Sequence, residues 1–237
     1  MSIDAVIFDW GGTLTPWRTI DVAATWRAYA ACAAPDDAEA VASALLAAEK
    51  NAWAGVRDHQ VSSCFADILT AAGVDHHEEA VAEYLTAWEP HTFTDPDVPA
   101  LFAGLRERGI RVGVLSNTLW PREWHEGFFE RDGVLHLVDG GVYTSELPYT
   151  KPHEHAFLAA MTAVGVSDPA ACVFVGDRPF DDISGAQALG MRTIFVPHSD
   201  IPADQQVPVE VRPDAVVDRV GEVIGHVDRW VDGRRGR

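Results

Sequence analysis

The sequence predicts an α/β protein: a parallel sheet with helices on both faces and an α-helical unit inserted after the first strand. Three observations lead there. A short apolar run, Ala5-Val6-Ile7-Phe8, ends in Asp9 and breaks into a glycine turn at Gly11-Gly12. The next seventy or so residues carry helix signals only. From Asp97 onward, helical patterns alternate with short apolar strands, as in parallel sheets buried on both faces.

The elements follow in chain order. Residues 21–34 have a capping acid and apolar spacing suited to a helix. Residues 37–55 are alanine-rich, with Val41, Leu45, Ala48 and Ala52 expected on one face. Ser62 or Ser63 is expected to open a third helix ending near Gly73, and residues 78–89 form a fourth, closed by Pro90. Asp97 caps a helix that stops at Gly109, and residues 110–115 read as a buried strand. Pro121 stands at a helix start, where a missing N–H costs nothing. A strand near 141–144, a helix over 156–164, a strand over 172–175, a helix over 182–189 and a strand over 193–196 follow. Residues 215–217 read as an edge strand, 220–231 as a closing helix, and the glycine- and arginine-rich tail to 237 as frayed.

Composition narrows the function. The 237 residues are 47% hydrophobic, which fits a globular chain. A formal charge of −18 argues against a nucleic-acid surface, and any anionic substrate needs local positive charge to overcome that field. No apolar run is long enough to span a membrane and no leader-like segment precedes the first strand, so a cytoplasmic location is expected. Cys32, Cys64 and Cys172 show no metal-binding spacing and read as reduced thiols. The only lysines are Lys50 and Lys151, against sixteen arginines, which slightly favours a chemical role for each.

Four segments carry chemistry. Asp9 ends the first strand, where open α/β sheets bind ligands, and is a candidate nucleophile. Ser116 and Asn117 end the second strand, a hydroxyl and an amide suited to a phosphate oxygen. Lys151, held before Pro152 and a helix, can neutralise an anionic substrate. Asp177 ends a further strand, followed by Asp181 and Asp182 at a helix start. Asp9 and Asp177 together make an all-oxygen site that suits Mg²⁺ rather than Zn²⁺.

These segments, in this order, resemble the haloacid dehalogenase superfamily over residues 4 to about 196. The resemblance implies a Rossmann-like core formed by residues 1–15 and 94–237, with a helical cap at 16–93. It implies that Asp9 takes the phosphoryl group of a small phosphate ester or acyl phosphate as an aspartyl phosphate. Mg²⁺ would then bind the Asp9 carboxylate, the Gly11 carbonyl and Asp177. Asp182 best matches the trailing acid, with Asp181 a close competitor, and Ser116 and Lys151 would hold the phosphoryl oxygens.

One position departs from the pattern. Phosphatases of that superfamily carry a second aspartate two residues after the nucleophile, and here that residue is Gly11. Losing such acid–base help costs about 10²–10⁴ in rate, or roughly 3–5 kcal/mol of barrier. Glu49, Asp58 and His59 are cap residues able to lend a proton, and the sequence singles out none of them. Three readings follow: a phosphohydrolase with a rerouted acid step; C–P or C–halogen cleavage, with Lys50 as the only cap lysine for a Schiff base; or a phosphate-binding module. Asp177 weakens the C–halogen version, since those enzymes work without metal and usually lack that acid.

Other residues carry weaker expectations. Trp10, Trp17, Trp120 and Trp124 are expected to pack in the core or between cap and core. Arg18, Arg27 and Arg57 are candidates to meet a substrate carboxylate. His153 and His155 are expected to point to different helix faces rather than share a ligand.

Overall fold

The computed structural model describes residues 2–16, 20–197 and 206–232. Six strands form one parallel sheet: β1 (Ala5–Phe8), β2 (Arg111–Ser116), β3 (Gly140–Tyr143), β4 (Cys172–Gly176), β5 (Arg192–Phe195) and β6 (Ala215–Val216). Their spatial order is β3-β2-β1-β4-β5-β6, a Rossmann-like sheet whose oldest strand in sequence lies in the middle. Phe8 is in register with Val114 of β2 and Val175 of β4. The residues just beyond those positions, Asp9, Ser116 and Asp177, therefore emerge side by side at one end of the sheet.

Alternation along the strands builds two cores. Val6, Phe8, Val112, Val114, Val173 and Val175 face one side, where α5 (Val98–Glu107), α6 (Arg122–Arg131) and α9 (Val223–Asp232) pack. Ala5, Ile7, Leu115, Cys172 and Phe174 face the other, covered by α7 (Glu154–Ala163) and α8 (Gly185–Leu189). Both faces are dry, so the strands read as continuous apolar runs.

Between β1 and α5, the described residues form four α-helices: α1 (Val22–Ala33), α2 (Ala38–His59), α3 (Phe65–Ala72) and α4 (Glu78–Trp88). Trp26, Tyr29, Phe65 and Tyr84 are buried among them. Their apolar cluster is continuous with the first face of the sheet, and Trp120 Nε1 donates to Tyr84 Oη at 3.1 Å across the junction. Full burial of rings of this size contributes about 1.5–3 kcal/mol each. A second seam lies beside it: Val61 bridges Tyr149 antiparallel, and Thr150 N–H donates to the Gln60 carbonyl.

Three local expectations need correction. The buried stripe of α2 is Ala42, Leu45, Glu49 and Val56, rotated from the one expected, and it turns a carboxylate inward. The third helix is capped by Cys64 with Asp67, while the Ser62 hydroxyl donates to the Thr144 carbonyl and fastens the helical insert to the sheet domain. Residues Pro179–Ser184 form a wide π-turn ahead of a short α8, not one helix from 182. The proline at its start and the bonds of Asp182 and Ile183 N–H to one carbonyl, Arg178 O, open the turn. Trp17, Arg18 and the tail 233–237 lie outside the described residues.

Candidate active site

Asp9 leaves β1 with its N–H bonded to Val175 O, so its backbone continues the sheet for one more residue. The residue is 6% exposed. Lys151 Nζ donates to Asp9 Oδ1 at 2.6 Å and to Asp182 Oδ1 at 2.7 Å. Asp182 Oδ2 accepts from Arg178 N–H at 2.9 Å, a bond that the π-turn makes possible by pointing Asp182 back toward β4. Asp181 is not in this cluster; it lines the crevice nearby.

Asp9, Asp177 and Asp182 each place an oxygen within 4.8 Å of the others, all buried. One lysine stands against three carboxylates, so the cluster carries surplus negative charge. Burial pushes Asp177 well above the ordinary carboxylate range, and the Asp9 and Asp182 charges add to that. Burial also lifts Asp182 to about 7 despite Lys151. Burial works against the charged form of Lys151, but the Asp182 and Asp9 carboxylates outweigh it and hold the ammonium above its ordinary value.

The donor set fits a hard divalent cation. Both oxygens of Asp177 are buried without any hydrogen-bond partner, a costly arrangement unless a cation supplies the missing interaction. The cradle is tight: a Cβ at Gly12, where φ is +88°, would meet Asp177 Oδ2 at 2.4 Å. A Cβ at Gly176 would meet Asp182 Oδ2. Gly11 differs, because nothing lies within 4 Å of a Cβ built there. The position has room for a larger side chain.

Ser116, 2% exposed at the end of β2, lines the same crevice. Asn117 is committed elsewhere: its Oδ1 accepts from Lys151 N–H at 2.8 Å and its Nδ2 donates to Lys151 O at 3.1 Å. The amide thus clamps the backbone that aims Lys151, while Asn117 also lines the crevice.

Above this floor lies a cavity of about 230 Å³. Asp9, Gly11, Ser116, Lys151 and Arg178 line it from the sheet side, and Glu49, Trp53, Tyr84 and Trp88 from the helical insert. Trp10 and Trp120 line it too, with ring centroids 5.9 Å apart, and Trp124 packs on Phe65 of α3 at 4.9 Å. Trp120 and Trp124 thus join core and insert, while Trp10 packs within the core on Trp120, His125 and Phe128.

Of the candidate cap residues, Glu49 alone lines the cavity; Asp58 and His59 are exposed at the end of α2. Lys50 is exposed and absent from the lining, which removes the support it gave to Schiff-base chemistry. Arg27 pairs with Asp21 at the surface, whereas Arg57 reaches the rim with its guanidinium on Asp58. His153 and His155 are not on opposed faces: their rings lie 4.8 Å apart, because His153 caps α7 from outside the helix.

Comparisons with known proteins identify the family. The chain is similar to glyceraldehyde 3-phosphate phosphatase of Methanopyrus kandleri, 29% identical over 161 residues that make up 66% of this chain and 68% of that protein. It is also similar to phosphoserine phosphatase of Thermus thermophilus, 28% identical over 68% of this chain and 63% of that protein. A crystal structure of an HAD phosphatase from Thermococcus onnurineus shares the fold, with a TM-score of 0.65 over 97% of this chain and 98% of that one at 20% identity. Residues 3–190 match the family model of haloacid dehalogenase-like hydrolases, and the chain belongs to that family.

Proposed function

We propose that the protein is a Mg²⁺-dependent phosphohydrolase acting on a small phosphate ester or acyl phosphate, with Asp9 as nucleophile and residues 16–93 as a cap. The observation that carries this reading is the buried Asp9 carboxylate, oriented by Lys151 at the floor of the cavity. The phosphatase names of the relatives support the substrate class.

Asp9 attacks phosphorus, the bond to the leaving oxygen breaks, and the phosphoryl group is left on the carboxylate. Lys151 and Ser116 hold the equatorial oxygens as charge builds on them. Asn117 keeps Lys151 in place for that contact. Water then attacks the aspartyl phosphate and frees Asp9 and inorganic phosphate. Asp9, Asp177 and the Gly11 carbonyl would hold Mg²⁺, with Asp182 beside them; bound there, the ion supplies the positive charge that the acidic floor lacks. Gly11 offers the leaving group no proton, so esters with good leaving groups turn over fastest.

The test is a panel of acyl, aryl and alkyl phosphates, phosphonates and 2-haloacids, run with Mg²⁺ and with EDTA. Metal-dependent release of phosphate, ranked by leaving-group acidity, is expected. Metal-independent halide release, or no turnover of any phosphate, overturns the reading.

A further inference from the structure

Glu49 is the unexplained group in the cavity. It is 8% exposed, on the inward face of α2. Its Oε2 accepts from Trp26 Nε1 at 2.5 Å and its Oε1 from Trp53 Nε1 at 3.2 Å. Both bonds come from neutral donors. None of the ion pairs among the described residues includes Glu49. The cation nearest in sequence on the cavity rim, Arg57, is turned onto Asp58 through Nε at 2.8 Å and Nη2 at 3.2 Å. Burial pushes the Glu49 carboxyl above its ordinary value, with the two indole bonds pulling the other way. A carboxylate taken out of water without a counter-ion is costly, and a ligand that brings one relieves that cost.

The surroundings suit a cation. Trp53, Tyr84, Trp88 and Trp120 line the same cavity as Glu49, and aromatic faces attract ammonium groups. The two sides of the cavity differ in chemistry, with Arg57, Arg178 and Asp181 also in its lining. Lys151 stands with Asp9 at the sheet end, where a phosphate would react, and an acid among aromatic rings stands at the insert end.

We propose that the substrate is zwitterionic: a small phosphate monoester whose far end carries a primary or quaternary ammonium group, received by Glu49 and the rings of Trp53, Tyr84 and Trp88. This rests on the phosphohydrolase reading above and names its substrate class. The insert end selects by charge, while the sheet end performs the transfer. A Glu49 that instead served as proton donor to the leaving oxygen would act on charged and neutral esters alike.

Two matched pairs differ only by that charge: 2-aminoethyl phosphate against propyl phosphate, and phosphocholine against 3,3-dimethylbutyl phosphate. The ammonium ester of at least one pair is expected to exceed its neutral isostere by about tenfold in kcat/KM, chiefly through KM. Glu49→Gln is expected to bring that ratio close to one. The ratio is taken within one preparation, so a partly misfolded variant does not disguise it. On the unsubstituted protein, tetramethylammonium is expected to compete with hydrolysis of the neutral ester, where sodium at equal ionic strength does not. Equal turnover within both pairs, a ratio that survives Glu49→Gln, or equal slowing of both esters in kcat overturns the proposal. If neither pair is hydrolysed while an aryl phosphate is, this proposal fails and the phosphohydrolase reading stands. If no phosphate is hydrolysed, that reading fails too.

Discussion

A methyl group at Gly12 and the carboxylate of Asp177 cannot occupy their places together. The added Cβ would stand 2.4 Å from Asp177 Oδ2, on a backbone whose φ of +88° already disfavours any side chain. Asp177 is itself fully buried at the end of β4 and has nowhere to retreat. Gly12→Ala is thus expected to cost about 1–3 kcal/mol of stability and, by shifting the acidic floor, about 10²-fold in turnover. Urea denaturation and steady-state kinetics on the same preparation check both; full activity in the variant contradicts the geometry.

The orphaned oxygens of Asp177 make a prediction of opposite sign for metal. At a hundredfold excess over its dissociation constant, Mg²⁺ is expected to stabilise the protein by about 2.7 kcal/mol. Asp177→Asn removes a buried, unpartnered carboxylate. It is expected to melt higher than the unsubstituted protein in EDTA, yet to gain nothing from Mg²⁺. Thermal melts with and without the ion measure both; an undiminished Mg²⁺ shift in the variant counts against this site.

Placing an acid at position 11 is expected to help the worst leaving groups most. The cavity has room for it, since nothing lies within 4 Å of a Cβ there. Gly11→Asp should raise alkyl phosphate turnover by at least about tenfold, toward the 10²–10⁴ typical of general acid–base catalysis. Acyl phosphates should change little. A variant that gains nothing on alkyl phosphates favours a phosphate-binding module over an enzyme.

His125 sets a pH dependence of stability. Its ring is buried between Tyr143, stacked at 4.7 Å, and Trp10, edge-on at 4.5 Å, with Nε2 2.9 Å from Thr118 Oγ1. Burial lowers its pKa to about 3. Between that value and the ordinary one near 6.5, the unfolded chain binds a proton that the native chain refuses. The stabilisation is complete above about pH 6.5 and drains away as pH falls, by about 2 kcal/mol at pH 5. His125→Phe should be less sensitive to this change by that amount in urea titrations at the two pH values. An unchanged slope would mean that the ring protonates in the folded state.

Much of this was legible because parallel strands covered on both faces are apolar throughout. A polar residue at such a strand's end, as at Asp9, Ser116 and Asp177, is then conspicuous, and strand order brings those ends together. What the sequence hid were matters of rotation and of local bonding. The sequence pattern favoured Asp182 but left Asp181 a close competitor; the π-turn over Pro179–Ser184 aims Asp182 at Lys151. The sequence did not show that the Asn117 amide bonds both the N–H and the carbonyl of Lys151. Glu49 was obscure because an alanine-rich helix has a broad weak stripe, and a shift of one residue turns the helix by about 100°. The observed turn is smaller than that: Leu45 stays buried, while Ala42 and Glu49 take the places expected for Val41 and Ala48.

The reading stands or falls on whether Asp9 accepts phosphorus. Rapid acid quench after mixing with acetyl phosphate and Mg²⁺, followed by peptide mass spectrometry, reads this directly. The peptide containing Asp9 is expected to carry one phosphoryl group, removable by hydroxylamine and absent from Asp9→Asn, which should also lose turnover. Sustained phosphate release by Asp9→Asn, or rapid turnover with Asp9 never modified, would contradict it.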